Sequence, residues 1–432
     1  MKWCVANGRI IDPSQKIDRV GDLWIQDGKI LGMDFSKEFP QDAERLLDAS
    51  GCFVAPGLID LHVHLRDPGE TYKEDIISGC KAAARGGFTT ICCMPNTKPV
   101  IDNESILRYI DEKAKAFPGV NLLPIGSISQ GQLGKKLSPI SSMVDCDTRS
   151  KELTGKGICA LSEDGKSLED NLLYLKAMKE ATNYGLPIFS HAEGGKNPQS
   201  SEGELEGVLR DLLLAKEEPC RLHFCHISTK NSLEAVETAR KQGMNVTCET
   251  APHYFSLTKK ENEEDGNFKM NPPLRTDEDK EAIRLGLKNG SIQAIATDHA
   301  PHSRDEKEVV YEKALNGIVG LETALAVGYT ELVRSGFLSV LEFVDRMSFG
   351  PAKILGINRG TLESGRPADI TIFEANGNYL INKDEFVSKS SNTPFEGMSA
   401  WGKTVATITD GIIVYSSSKI SEGEGKNDRS SY

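Results

Sequence analysis

Apolar residues recur along this chain in two periods. From about residue 52 to 350, short apolar runs at 52–62, 88–95, 121–128, 157–163, 186–191, 221–227, 246–253 and 293–298 read as strands. Between them, segments such as 72–85, 105–116, 168–182, 232–241 and 277–287 carry apolar positions at helical spacing, several followed by Gly-Gly, Gly or Asn-Gly punctuation. Eight strands alternating with helices is the number that closes a parallel barrel. The chain ends follow another grammar. Residues 1–51 alternate apolar and polar positions in short pieces with an Asp27-Gly28 hairpin turn, and the same style returns in Ala368–Phe373 and in Val405–Tyr415 with Asp410-Gly411. The expected fold class is therefore α/β. It comprises a (β/α)8 TIM-type barrel over 52–352 and a small β-sandwich domain formed from both chain ends, 1–51 and 353–432. The last fifteen residues read as a polar tail, and the charged stretch 303–316 as a loop over the barrel mouth.

Length and charge narrow the classes of function. A chain of 432 residues holds a barrel of roughly 250 residues plus a smaller unit. A formal charge of −12 disfavours nucleic acid and anionic membrane surfaces as general partners, while leaving room for a small anion held by local cations. No apolar run approaches the roughly 20 residues of a membrane span, and Met1–Ala6 lacks the core of a secretory signal, so a cytoplasmic location is expected. The ten cysteines form no CxxC pair and read as reduced core thiols. Composition does not fix the oligomeric state, and a homodimer is allowed.

The chemistry collects on the histidines. All eight, His62, His64, His191, His223, His226, His253, His299 and His302, fall within or at the C-terminal end of an expected strand, where barrels build their active sites. His62 and His64 project to one face because strand side chains alternate with period two. Further ends supply Glu163-Asp164, His191, His226 and Asp298. Imidazole plus carboxylate is a zinc-type ligand set, and its excess over three ligands argues for two ions sharing a bridging carboxylate, Asp164 or Glu163. His223 and His253 read as core histidines.

Four motifs together carry a resemblance that spans the chain nearly end to end. They are Asp60-Leu61-His62-Val63-His64-Leu65-Arg66-Asp67-Pro68-Gly69, Met94-Pro95-Asn96-Thr97, Lys269-Met270-Asn271-Pro272-Pro273-Leu274-Arg275 and Thr297-Asp298-His299-Ala300-Pro301-His302. In these the chain resembles the class I dihydroorotases of the amidohydrolase superfamily. The resemblance implies two Zn2+ ions per chain, one on His62, His64 and Asp298, the other on His191 and His226. Asp164 would bridge them where many relatives use a carboxylated lysine; Lys156 lies too far before the strand end for that part. Two aspartates are more usual where this chain has Glu163-Asp164.

The activity implied is reversible closure of N-carbamoyl-L-aspartate to L-dihydroorotate with loss of water, a step of pyrimidine synthesis. It uses a zinc-bound hydroxide, with Asp298 as both ligand and general acid/base. Arg66 would grip the substrate carboxylate, with Asn96 and His302 completing the site and Asn271 touching the ring. Read in isolation, Arg66 would instead pair with Asp67 or Glu70. The alternatives are another cyclic amidohydrolase (dihydropyrimidinase, hydantoinase or allantoinase), or an inactive partner subunit of a pyrimidine-pathway complex. The second predicts lost ligands, and every ligand position is filled.

Overall fold

The computed structural model describes residues 2–36, 46–261, 263–417 and 422–423. Eight parallel strands follow one another in chain order: Leu58–Val63, Phe88–Cys93, Asn121–Ser127, Ala160–Ser162, Pro187–Ser190, Arg221–Phe224, Val246–Thr250 and Ala294–Ile295. The seam between the last and the first is closed at the C-terminal end, by a parallel bridge between Val63 and His299 and a 2.8 Å bond from the His64 amide to the His299 carbonyl. Asp60 clasps the same seam from the side. Its carboxylate accepts from the Thr297 amide at 3.0 Å and the Thr297 hydroxyl at 2.6 Å.

The intervening helices start and stop where local chemistry satisfies their free backbone groups. Ile76–Gly86 is capped by Asp75, which accepts from the Ser78 amide at 2.8 Å, and it ends on Gly87 at φ 93°, a left-handed conformation that glycine adopts without strain. Asp170, Thr229 and Thr276 cap Asn171–Asn183, Lys230–Lys241 and Asp277–Asn289 in the same way. Inside the barrel, Ile59, Leu61, Leu123, Ile125, Phe189 and Ala294 pack with the helix Gly350–Leu355, which plugs the floor. Polar groups are thereby left to the opposite end.

Both chain ends contribute to one sheet of nine strands. Trp3, Ile10, Leu23, Ile25, Val54, Ile370, Ile372, Val405 and Ile408 meet in a single apolar cluster, so this sheet wraps around its own core. The run expected as one strand over 52–62 divides at Gly57. Cys52–Pro56 pairs antiparallel with Ile370–Glu374 in the chain-end sheet, and only Leu58–Val63 enters the barrel. Gly57 permits the passage, since a Cβ there would stand 2.2 Å from Thr89 Oγ1. The fourth strand is shorter than the expected 157–163, because the backbone leaves the ladder after Ser162 and carries Glu163 and Asp164 into the mouth.

The expected loop at 303–316 holds a short helix, Arg304–Lys307, and a 3-10 turn, Tyr311–Lys313. It is stapled to the mouth by the buried Lys307, whose ammonium donates to the carbonyls of Lys269, Leu315 and Gly317 at 3.0, 2.8 and 2.8 Å. All ten cysteines are free thiols. Among the described residues no helix is long and apolar enough to cross a membrane. The polar tail expected at the C-terminus lies outside the described residues apart from Glu422–Gly423.

Candidate active site

Asp164 occupies the centre of the barrel mouth. Its Oδ1 lies 3.3 Å from His62 Nε2, 3.5 Å from His191 Nδ1 and 3.9 Å from His226 Nε2, while Oδ2 lies 3.5 Å from His64 Nε2. Asp298 Oδ1 faces the same two first-strand imidazoles at 3.3 Å (His64) and 3.7 Å (His62). The His62 and His64 rings, 5.2 Å apart between centroids, share one space as the strand period requires. Six side chains from five strand ends thus converge, all buried. Glu163 does not join them. Its carboxylate turns toward the third strand's end and accepts from the Ser129 amide at 3.0 Å, the Ser127 hydroxyl at 3.2 Å and the Ser129 hydroxyl. Lys156 stays before the fourth strand, far from the mouth in sequence and in fold.

The donor chemistry of the cluster fits divalent cations. The ligand atoms of His62, His64 and Asp298 lie within 4.8 Å of one another, as do those of His62, Asp164 and His226. His62 Nε2 and Asp164 Oδ1 are buried with no hydrogen-bond partner. Such orphaned atoms cost about 1–3 kcal/mol each, a penalty that a coordinated cation removes. The backbone supports the aim: His226 at φ 36° and Asp298 at φ 49° both take the left-handed region, a strained choice for non-glycine residues that turns their side chains inward at the strand ends. Burial pushes Asp164 up, but His62 and the other imidazoles outweigh it and hold this carboxyl well below the usual range. Asp298 is held low against burial by His64, His62 and His226. Both are therefore anions at neutral pH, as ligands must be.

The far side of three of the four imidazoles is fixed by a polar partner. His62 Nδ1 meets Glu249 Oε1 at 3.3 Å, His64 Nδ1 meets Asn96 Oδ1 at 2.9 Å, and His191 Nε2 meets Glu193 Oε1 at 3.2 Å. Sequence reasoning singled out neither Glu249 nor Glu193. Glu193 lies just past the fifth barrel strand, a strand-end signal like the one that marked the histidines, whereas Glu249 lies within the seventh strand and reaches the far nitrogen of His62 from behind. His226 Nδ1 has no partner. The loop that follows His226 is held from outside by buried Glu204, which accepts from the Thr229 amide at 3.1 Å and the Ser228 hydroxyl. Arg275 of the Asn-Pro-Pro-Leu-Arg motif donates to Ser228 Oγ at 3.0 Å. That motif's arginine is a brace for the mouth.

Residues expected to meet substrate rim the same cluster. Arg66, at φ 58°, donates through Nε to the Pro301 carbonyl at 3.2 Å and stands 3.4 Å from His302 Nε2. Among the described residues no carboxylate lies within ion-pair distance of it: Glu70 pairs with Lys73 and Lys98, and Asp67 accepts from Tyr109 at 2.7 Å. The rim salt bridge that Arg66 would form in isolation is absent. His302 Nε2 donates to the Asn316 carbonyl at 2.8 Å, and burial followed by the Arg66 charge lowers this imidazole to about 3. Asn271 donates to Glu193 at 2.7 Å and keeps a buried oxygen with no partner. Asn96 reaches Asp164 Oδ2 at 3.1 Å as well as His64, so both ends of its amide are engaged. His223 and His299 have structural partners, Thr247 with Glu249 and Glu74 with the Gly320 amide.

Known proteins resemble this chain over nearly its full length. The model of the amidohydrolase family matches residues 53–414. The chain is 46% identical to the dihydroorotase of Geobacter metallireducens, over 96% of this chain and 100% of that one. It is 44% identical to the dihydroorotase of Geotalea daltonii, over 96% and 99%. Among solved structures, the L-hydantoinase of Arthrobacter aurescens superimposes with a TM-score of 0.86 at 27% identity, covering 98% of both chains. The match of fold, of full length and of sequence places the chain in the amidohydrolase family, among its dihydroorotases.

Proposed function

We propose that this chain interconverts L-dihydroorotate and N-carbamoyl-L-aspartate, using two divalent ions, zinc by donor type, in a mouth built from its own histidines and aspartates. The observation that carries this reading is Arg66, a cation without a carboxylate partner set beside a ligand-rich cluster. An amide ring alone needs only the cluster; a ring bearing a carboxylate also needs the cation. Relatives named dihydroorotase at 46% and 44% identity favour it over the hydantoinase reading suggested by the more distant solved structure at 27%.

In this scheme His62, His64 and Asp298 would hold one ion and His191 and His226 the other, with Asp164 a ligand available to both. When bound, such ions acidify water and polarise an amide carbonyl. Arg66 receives the substrate carboxylate on its planar fork, and His302, whose Nε2–H is committed to the Asn316 carbonyl, lines the same rim. The free oxygen of Asn271 accepts from a ring N–H. During hydrolysis, Asp298 takes a proton from the attacking water and returns it to the ring nitrogen as the carbon–nitrogen bond breaks, leaving the carbamoyl group and a new carboxylate. Ring closure runs the same transfers backwards. Asp298 is positioned for both because its carboxylate lies 3.3 Å from His64 and 3.7 Å from His62 in the barrel mouth.

The test is a metal analysis together with paired assays on L-dihydroorotate and 5,6-dihydrouracil. About two ions per chain and a strong preference for the carboxylated ring are expected. Equal turnover of both rings would move the chain to the dihydropyrimidinase reading, and turnover of neither would favour an inactive partner subunit.

A further inference from the structure

We infer that Glu249 is a positioning residue for the metal ligand His62. It sets which nitrogen of that imidazole is free and adds a third buried negative charge behind the cluster. The inference rests on reading the His/Asp cluster as a metal centre.

Glu249 lies on the seventh strand with no solvent exposure. Its two oxygens take different partners: Oε1 stands 3.3 Å from His62 Nδ1 and Oε2 stands 3.1 Å from His223 Nε2. A carboxylate offers only acceptors, so both rings must present N–H to it. That choice leaves the remaining nitrogen of each ring as an acceptor. For His223 it is Nδ1, which meets the Thr247 hydroxyl at 2.8 Å. For His62 it is Nε2, the buried atom with no partner that faces Asp164 and Asp298. A single carboxylate therefore fixes two tautomers, one ending at a hydroxyl and the other at a nitrogen aimed at Asp164 and Asp298. The chain Thr247–His223–Glu249–His62 runs through the sheet interior from the sixth and seventh strands to the first, which also explains why a histidine and a glutamate occupy fully buried positions. Cys225 Sγ sits close to both His62 and Glu249. Its burial raises it and keeps it a neutral thiol, so it adds no charge.

A carboxylate behind a ligating imidazole raises the basicity of the ligand, and its removal typically weakens metal binding about 10- to 100-fold. Glu249→Gln isolates the charge. With its oxygen turned to His62, the amide still accepts from Nδ1, while its NH2 donates to His223 if that ring moves its own proton to Nδ1 and donates to Thr247. Shape and tautomer at His62 are kept, and the negative charge is lost.

Metal-free wild type, Glu249→Gln and His223→Gln would be titrated with zinc in competition with a chromophoric chelator, and each apoprotein melted. One binding step of Glu249→Gln should weaken about 10- to 100-fold while its apoprotein melts close to wild type. His223→Gln, which leaves the contact to His62 in place, should shift that step by less. Unchanged zinc binding in folded Glu249→Gln, or an equal loss in His223→Gln, overturns the positioning role. If the amide variant does not fold, Glu249→Asp keeps the charge but withdraws it from His62 by one methylene, and the same step should weaken; unaltered affinity there overturns the role too. A wild type that binds no zinc refutes the metal centre itself, which is a different result from a wild-type-like variant.

Discussion

Asn96 donates from Nδ2 to Asp164 Oδ2 at 3.1 Å, and its oxygen meets His64 Nδ1 at 2.9 Å, so a residue expected to touch substrate also spans two members of the ligand cluster. Asn96→Ala strands a hydrogen bond to a buried carboxylate, worth about 1.5–3 kcal/mol, and should lower kcat/KM roughly 10- to 150-fold. Metal content should fall with it, because the same amide ties Asp164 to His64. Loss of kcat/KM with metal content and affinity intact would leave Asn96 a substrate contact alone.

Asp164 and Glu163 are neighbours with opposite surroundings, and variants should separate them. Asp164→Asn is expected to lose most bound metal and all measurable turnover, because four imidazoles converge on that carboxylate. Glu163→Gln should keep its metal and instead lower the melting temperature, since Glu163 ties the ends of the third and fourth strands together through Ser127 and Ser129. Lys156→Ala should change neither, with or without bicarbonate. Metal loss in Glu163→Gln comparable to that in Asp164→Asn would reverse the assignment of the bridge.

Arg66 should decide between substrates. Removing a charge-assisted pair costs about 1.5–3 kcal/mol, and more where a desolvated carboxylate is stranded. Arg66→Met should therefore reduce kcat/KM for dihydroorotate by at least about tenfold, up to a few hundredfold. Activity on dihydrouracil should change far less, and zinc content not at all. An unchanged ratio between the two substrates would return Arg66 to a purely architectural part.

His253 gives a pH prediction. Burial lowers this imidazole from 6.5 to about 4, and Nε2 has no partner. A folded-state pKa below the unfolded one means that the neutral ring's contribution is complete above pH 6.5 and is lost as pH falls toward 4. Between pH 6.5 and 5 the loss amounts to about 2 kcal/mol, at 1.36 kcal/mol per unit. Urea unfolding of metal-free protein should show that decline, and His253→Gln should flatten it. Parallel pH profiles for the variant and the wild type would mean that His253 titrates normally.

Much of this molecule follows from its sequence alone. The eight apolar runs, the helix periods between them and the Asp-Gly turns at both ends specify a barrel with a second sheet, because burial periodicity and turn chemistry are local properties. The placement of His62, His64, His191, His226 and Asp298 at strand ends is equally local, so these side chains could be expected to converge before any packing was known. Tertiary structure alone decided the rest. The apolar run 52–62 is continuous in sequence, and only its pairing with Ile370–Glu374 on one side and Phe88–Cys93 on the other divides it at Gly57. Glu163 and Asp164 are chemically alike and adjacent, and only the direction in which the backbone leaves the fourth strand sends one toward Ser129 and the other to the centre. Glu249 stands behind His62 although 187 residues separate them. Partnership between such distant positions is set by barrel closure, a property of all eight strands together that no segment of the chain carries by itself.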